Sequence, residues 1–212
     1  MTQKIAFYFD FGSPNGYMVH RVIPGIEARL GAGVFEYRPA LLGGVFKATG
    51  NRSPMEAFAG IPPKLAYERL EMNRFVARHG LSAFRQNPNF PVNTLQLMRG
   101  VMAARDLGVF EAYVDAVYAA MWERGLKMDD PEVFRQALAD AGLPADQLIA
   151  HSQDPEVKGA LVEATQAFID RGGFGIPTFF VGDEMFFGKD RLVQVEEEFI
   201  RQRDAQPATA SA

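Results

Sequence analysis

Hydrophobic positions alternate with a strand-like period near the two ends of the chain and recur at helical spacing through its middle. Ile5 to Phe9 is an apolar run of strand length. It passes through Asp10-Phe11-Gly12 into Ser13-Pro14, where a helix opens and continues to Leu30. Serine is a good N-cap because its oxygen accepts an orphan backbone N–H. Proline suits the first helical position, where its missing N–H costs nothing. Tyr17, Ile23, Ile26 and Leu30 share roughly one face, and Gly31 and Gly33 close the helix. Val34-Phe35-Glu36-Tyr37-Arg38 alternates and predicts a second strand ended by Pro39. Strand–helix–strand is the order of a parallel pair with a right-handed crossover.

Leu41 to Pro54 is rich in glycine and polar residues and reads as a loop with at most a short helical turn. After the break at Gly60-Ile61-Pro62-Pro63 the pattern is helical from Lys64 to Gly80, with Leu65, Leu70, Met72, Phe75 and Val76 available to pack. Asn87-Pro88-Asn89-Phe90-Pro91 interrupts. Helices are then predicted over Thr94–Leu107, Val109–Glu123, Asp130–Gly142, Ala145–His151 and Pro155–Arg171. Thr178–Val181 and Glu184–Phe187 read as short strands joined across Gly182-Asp183, followed by a closing helix from Arg191 to Arg203. Without the helical block the order is βαβ–αββα, that of a thioredoxin fold. The expectation is an α/β chain in which residues 1–61 and 152–204 form a thioredoxin-like domain. Residues 62–151 form an all-helical insertion, and 205–212 a disordered tail.

The composition narrows the chemistry. A formal net charge of -4 without a long basic run gives no support for nucleic-acid binding. No stretch of eighteen apolar residues is present, and Lys4 and Asp10 bracket the first apolar run, so no membrane span or secretory segment is expected and a cytoplasmic location is. The cysteine count is zero, which excludes disulfides, thiolate metal sites and a cysteine nucleophile; any reacting sulfur must arrive on a ligand. His20, His79 and His151 fit no metal spacing, and no serine–histidine–acid set stands out. Taken alone, Ser13-Pro14 is a capped helix, and also a place where N–H groups and the positive helix end favour an anion. Lys47 and Lys64 read as surface lysines, Asn51 as a turn residue and Asp190 as a helix cap.

Three ordered stretches change those readings. They are Phe9-Asp10-Phe11-Gly12-Ser13-Pro14, then Gly50-Asn51, then Phe174-Gly175-Ile176-Pro177-Thr178-Phe179 with Phe187-Gly188-Lys189-Asp190-Arg191-Leu192 behind it. Together they resemble the bacterial 2-hydroxychromene-2-carboxylate isomerases and the kappa-class glutathione transferases, over nearly the whole chain from Ile5 to Ile200. The resemblance implies a DsbA-type thioredoxin fold with a helical insertion, and glutathione as the source of sulfur. Ser13-Pro14-Asn15-Gly16 stands where redox relatives carry Cys-x-x-Cys, so Ser13 is expected to hold the glutathione thiolate as a hydrogen-bond donor.

Other roles follow from the resemblance one residue at a time. Pro14 and Asn51 belong to the glutathione site, and Lys64 pairs with the glycine carboxylate of glutathione. Ile176-Pro177 is similar to the thioredoxin cis-proline turn, whose backbone pairs with the glutathione peptide. Lys189 and Asp190 hold the γ-glutamyl end. Lys47 lies near the carboxylate of an aromatic chromene substrate, and Asn93 is a candidate second contact. Two residues depart from the family pattern. Asn15 replaces an aromatic residue and makes the mouth more polar; Gly16 replaces a small polar residue or alanine and weakens the first helical turn by about 1 kcal/mol. The expected activity is reversible isomerisation of 2-hydroxychromene-2-carboxylate to trans-o-hydroxybenzylidenepyruvate in aromatic hydrocarbon breakdown, by a homodimer. The alternatives are a kappa-like glutathione transferase or peroxidase and a non-catalytic thioredoxin-like binding module.

Overall fold

A computed structural model describes residues 3–205. In chain order the elements are β1 (Ile5–Phe9), α1 (Pro14–Leu30), β2 (Phe35–Pro39), α2 (Leu42–Thr49), α3 (Pro54–Ala57) and α4 (Pro62–Arg78). There follow α5 (Leu95–Asp106), α6 (Phe110–Trp122), α7 (Pro131–Asp140), α8 (Ala145–His151) and α9 (Pro155–Asp170). The chain returns to the sheet in β3 (Thr178–Val181) and β4 (Glu184–Phe187), then passes through a single 3₁₀ turn, Lys189–Arg191, into α10 (Leu192–Ala205).

The four strands form one sheet in the order β2-β1-β3-β4. β1 and β2 are parallel, with Ile5 opposite Phe35 and Phe9 opposite Pro39, as expected of a strand–helix–strand unit. β3 runs antiparallel to β1, and the hairpin across Gly182-Asp183 sets β4 antiparallel to β3, with Thr178 opposite Phe187. This is a thioredoxin-like sheet of mixed direction carrying many helices, the fold expected from the order of elements.

Side-chain alternation along β1 decides what each face covers. Phe7 and Phe9 face the larger apolar cluster, which runs through Phe11 and Phe179 into α5, α6 and α7 and contains Tyr118 and Trp122. Tyr8 faces a smaller cluster with Ala40, Val45, Phe168 and Phe180, its ring stacked on Phe168 at 4.5 Å. β3 is buried along its whole length, whereas β4, at the edge, is largely exposed.

One expectation needs correction. Leu41–Pro54 is not a loop, because Leu42–Thr49 is an eight-residue helix and Pro54–Ala57 a further turn of helix. Gly43-Gly44 weakens local helix propensity, yet Leu42 N donates to the Asp10 carboxylate at 2.8 Å and Leu41 N to Thr165 Oγ1 at 3.0 Å, caps supplied from distant parts of the chain. Of the stretch 205–212 expected as a tail, Ala205 ends α10, and 206–212 lie outside the described residues.

Candidate active site

α1 opens as its sequence predicts. Ser13 has an extended backbone, its Oγ accepts from Gly16 N at 3.1 Å, and Pro14 takes the first helical position. The Ser13 hydroxyl donates to the carbonyl of Ile176 at 3.3 Å, across the start of β3. The Ile176-Pro177 peptide is cis. Ser13, Pro14, Ile176 and Pro177 are therefore one cluster, built from chain segments far apart in sequence. Gly188 N donates to Pro177 O at 2.9 Å, which brings the Lys189–Arg191 turn up behind it.

Asn51 joins the same end of the molecule. Its Nδ2 donates to Phe174 O at 2.8 Å, two residues before Ile176, and its Oδ1 accepts from Arg52 N. Lys64 lies on the first turns of α4, paired with Glu68 at 3.2 Å and set 5.0 Å from the Phe58 ring centroid. Lys189 is almost wholly buried and donates to both carboxylate oxygens of the exposed Asp190. Both residues line a cavity whose other walls are α1, α4 and α10, not Ser13. Asp190 does not cap the last helix; Gly188 precedes the 3₁₀ turn, and the Asp190 carboxylate is engaged by Lys189. Lys47 stands exposed near the end of α2. Asn93 is exposed, its Oδ1 accepting locally from Leu95 N at 3.0 Å to steady the start of α5.

Three supporting residues carried no assigned role in the sequence reading. Asp10 is fully buried, and its two oxygens accept from Gly12 N and Leu42 N at 2.7 and 2.8 Å. Burial raises its carboxyl above the ordinary value, while the Leu42 and Gly12 amides and a bond with Thr94 pull it back. One carboxylate thus ties the loop before Ser13 to the helix carrying Lys47. Trp122 Nε1 donates to Phe11 O at 2.8 Å, pinning that loop from the α6 side. Tyr118, also fully buried, explains Gly16. A β-carbon at Gly16 would stand 2.9 Å from the Tyr118 hydroxyl and 3.3 Å from Ser13 Cβ. Asp10 lies inside the motif that carries the resemblance and was detectable there, but Tyr118 is more than a hundred residues from Gly16, beyond any local signal.

Asn15, the other departure, has a buried Oδ1 without a hydrogen-bond partner among the described residues. A buried acceptor left unpaired is costly, on the order of 1–3 kcal/mol.

Residues 4–199 match the family described as the DSBA-like thioredoxin domain. The chain belongs to this family. Within it, the chain is 32% identical over 194 residues to a 2-hydroxychromene-2-carboxylate isomerase of Sphingobium xenophagum, covering 91% of this chain and 95% of that one. It is also 26% identical over 202 residues to glutathione S-transferase kappa 1 of Caenorhabditis elegans, covering 89% and 87% of the two chains. A solved 2-hydroxychromene-2-carboxylate isomerase superposes with a TM-score of 0.77 at 27% identity, covering 93% of this chain and 95% of its own. The family resemblance drawn from the three motifs is thereby shown, with relatives named as 2-hydroxychromene-2-carboxylate isomerases and as a kappa-class transferase.

Proposed function

We propose that this protein is a glutathione-dependent cis–trans isomerase acting on 2-hydroxychromene-2-carboxylate or a closely similar aromatic carboxylate. The observation that carries the reading is the Ser13 hydroxyl, held at the α1 N-terminus against the carbonyl before Pro177, in a chain with no cysteine. Dithiol–disulfide exchange needs two protein sulfurs and is chemically impossible here. A thiolate of glutathione fits the vacant place, since a helix N-terminus and a hydroxyl donor both favour the anion. The Ser13–Ile176 bond is long, so the hydroxyl proton can turn from that carbonyl to sulfur while Gly16 N keeps Oγ in place.

In this reading Ile176 and Pro177 offer backbone to the glutathione peptide, Pro14 and Asn51 flank it, and Lys64 leaves Glu68 to pair with its glycine carboxylate. Lys189 and Asp190 take the γ-glutamyl end, Lys47 the substrate carboxylate, and Asn93 is a weaker second contact. The thiolate adds to the conjugated ring-opened substrate, converting a double bond to a single one. Rotation follows, and expulsion of the thiolate restores the double bond. Glutathione is returned, and proximity of sulfur to the electrophile supplies much of the acceleration. A homodimer in the cytoplasm belongs to the same proposal, and light scattering checks the dimer.

Incubation with the chromene acid and sub-stoichiometric glutathione tests the reading. Many turnovers per thiol support isomerisation. One turnover per thiol indicates a kappa-like transferase, the activity named for the Caenorhabditis elegans relative. Titration calorimetry with glutathione on the parent, Ser13→Ala and Lys64→Ala proteins is the companion measurement. Absence of affinity in the parent removes both enzyme readings and leaves a thioredoxin-like binding module.

A further inference from the structure

Between α1, the end of α4 and the start of α10 lies a cavity of about 400 Å³. Its walls carry four permanent cations, Arg21, Arg29, Arg78 and Lys189, against two carboxylates, Asp190 and Glu196. Arg21 is engaged by Asp115 and Glu123, neither of which lines the cavity, and Arg29 is paired with Glu196 at 2.8 Å. Arg78, in the last turn of α4, is in no ion pair among the described residues. The Lys189 side chain is only 6% exposed, and its hydrogen bonds at 3.1 and 3.0 Å go to Asp190 alone, itself 63% exposed. An ammonium has three N–H donors, and burying it against a single water-washed carboxylate leaves much of its lost hydration unreplaced. Val22, Ile26, Phe75 and Leu192 give the cavity an apolar floor, and the Lys189 ammonium lies 5.3 Å from the centroid of the Phe75 ring.

A cavity with one guanidinium outside any ion pair among the described residues, an apolar floor and an under-solvated buried ammonium has one natural occupant class. We propose that it binds an organic anion, a carboxylate on an aromatic or branched apolar body, with the carboxylate between Lys189 and Arg78. Ser13, Asn51, Lys64 and Ile176 do not line the cavity, so this is a second site. It shares Lys189 and Asp190 with the glutathione reading, so its occupant and the γ-glutamyl end of glutathione compete for one ammonium, but it does not depend on glutathione being bound. An occupant would join α4 to α1 and α10. Because α4 also carries Lys64, occupancy would bear on the first site through one helix.

The probe is 1-naphthoate, followed by its fluorescence and by calorimetry near neutral pH and low salt. Neutral 1-naphthamide and inorganic phosphate serve as the body and the head alone. The expected result is saturable naphthoate binding that persists in Ser13→Ala, with naphthamide and phosphate each about tenfold weaker. Arg78→Gln weakens naphthoate by about tenfold while Arg78→Lys retains it, both variants melting with the parent. Absence of saturable naphthoate binding overturns the proposal. So does equal affinity for naphthamide or phosphate, or unchanged naphthoate affinity in a folded Arg78→Gln.

Discussion

α6 and α4 are both helices of the middle of the chain, both dotted with aromatic and aliphatic residues, and they behave as opposites. Seven of the thirteen residues of α6 are buried, among them Tyr113, Tyr118, Met121 and Trp122. Of the seventeen residues of α4 only Phe75 is buried, and Tyr67 and Leu70 stand in solvent. α6 also bonds directly to the Ser13 loop, through Trp122 to Phe11 and Tyr118 to Asp10, and Glu123 just beyond it receives Tyr17 of α1. α4 offers instead Lys64 at one end and Arg78 at the other. The difference separates two tasks. α6 is a rigid floor that sets where Ser13 points, whereas α4 is a thinly anchored wall whose charged ends lie at the surface.

Replacing parts of the floor should give the largest effects. Trp122→Ala removes a fully buried ring and the donor to Phe11 O, and is expected to cost about 3–5 kcal/mol. For a chain of this size that lowers the melting temperature by roughly 10 °C, read by calorimetric unfolding. A melting point within a degree or two of the parent would mean that α6 is not the floor described.

Next in size is Gly16→Ala. Alanine is the better helix former, yet its β-carbon collides with the Tyr118 hydroxyl, so a net loss of about 1–2 kcal/mol is expected. Tyr118→Phe removes the colliding oxygen, and the double variant should recover most of the loss in a double-mutant cycle. Additive losses would show that Tyr118 is not the reason for the glycine.

A smaller effect comes from His20, on α1 and facing α6. Its Nδ1 meets the Tyr37 hydroxyl at 2.8 Å and its Nε2 meets Asp115 at 3.3 Å, while its ring stacks on Tyr118. Burial holds its pKa below the ordinary value, against the pull of Asp115. The unfolded chain takes up a proton near pH 6.5 that the folded chain resists, so this residue makes stability fall as pH drops below that point. Asp115, held at about 2 chiefly by its bond from His20, adds stability present above the ordinary carboxylate range and lost as pH falls toward 2. His151, between Asp154 and Asp106, is raised and acts in the opposite sense, its contribution fading as pH rises. The informative comparison is therefore the parent against His20→Gln. Between about pH 8 and pH 5 the variant should lose less stability than the parent. Equal losses would remove His20 from the account.

The smallest stability effect belongs to α4. Lys64→Ala should change unfolding free energy by no more than about 0.5 kcal/mol, because its pair with Glu68 is half exposed. If the proposed glutathione contact holds, the same change weakens glutathione binding by about tenfold, a separation of binding from stability that no α6 variant should show.

The candidate site was readable in unequal parts. Ser13-Pro14 announced its own geometry, since N-cap and first-turn preferences are properties of a few adjacent residues, and the observed cap is the predicted one. The parallel pair and the hairpin were legible from alternation and from Gly182 at the tight turn. α2 was not. Gly43-Gly44 signals a break, and the groups that overrule it, Asp10 and Thr165, come from elsewhere in the chain. Gly16 read as a weakness in α1 for the same reason, because the hydroxyl that demands it comes from α6.

By itself, then, the sequence determined the order of the strands and of the helices other than α2 and α3, the serine at the helix mouth and the exclusion of protein thiol chemistry, because each depends on residue type or on near neighbours. Tertiary structure alone decided that Ser13 meets Ile176, that one buried carboxylate joins the loop before Ser13 to α2, and that Lys189 lies buried in the wall of a cavity rather than in open water. Those are contacts across tens to hundreds of residues. Chain periodicity carries no record of them, and only the packing of α1, α4 and α6 against the sheet brings the partners together.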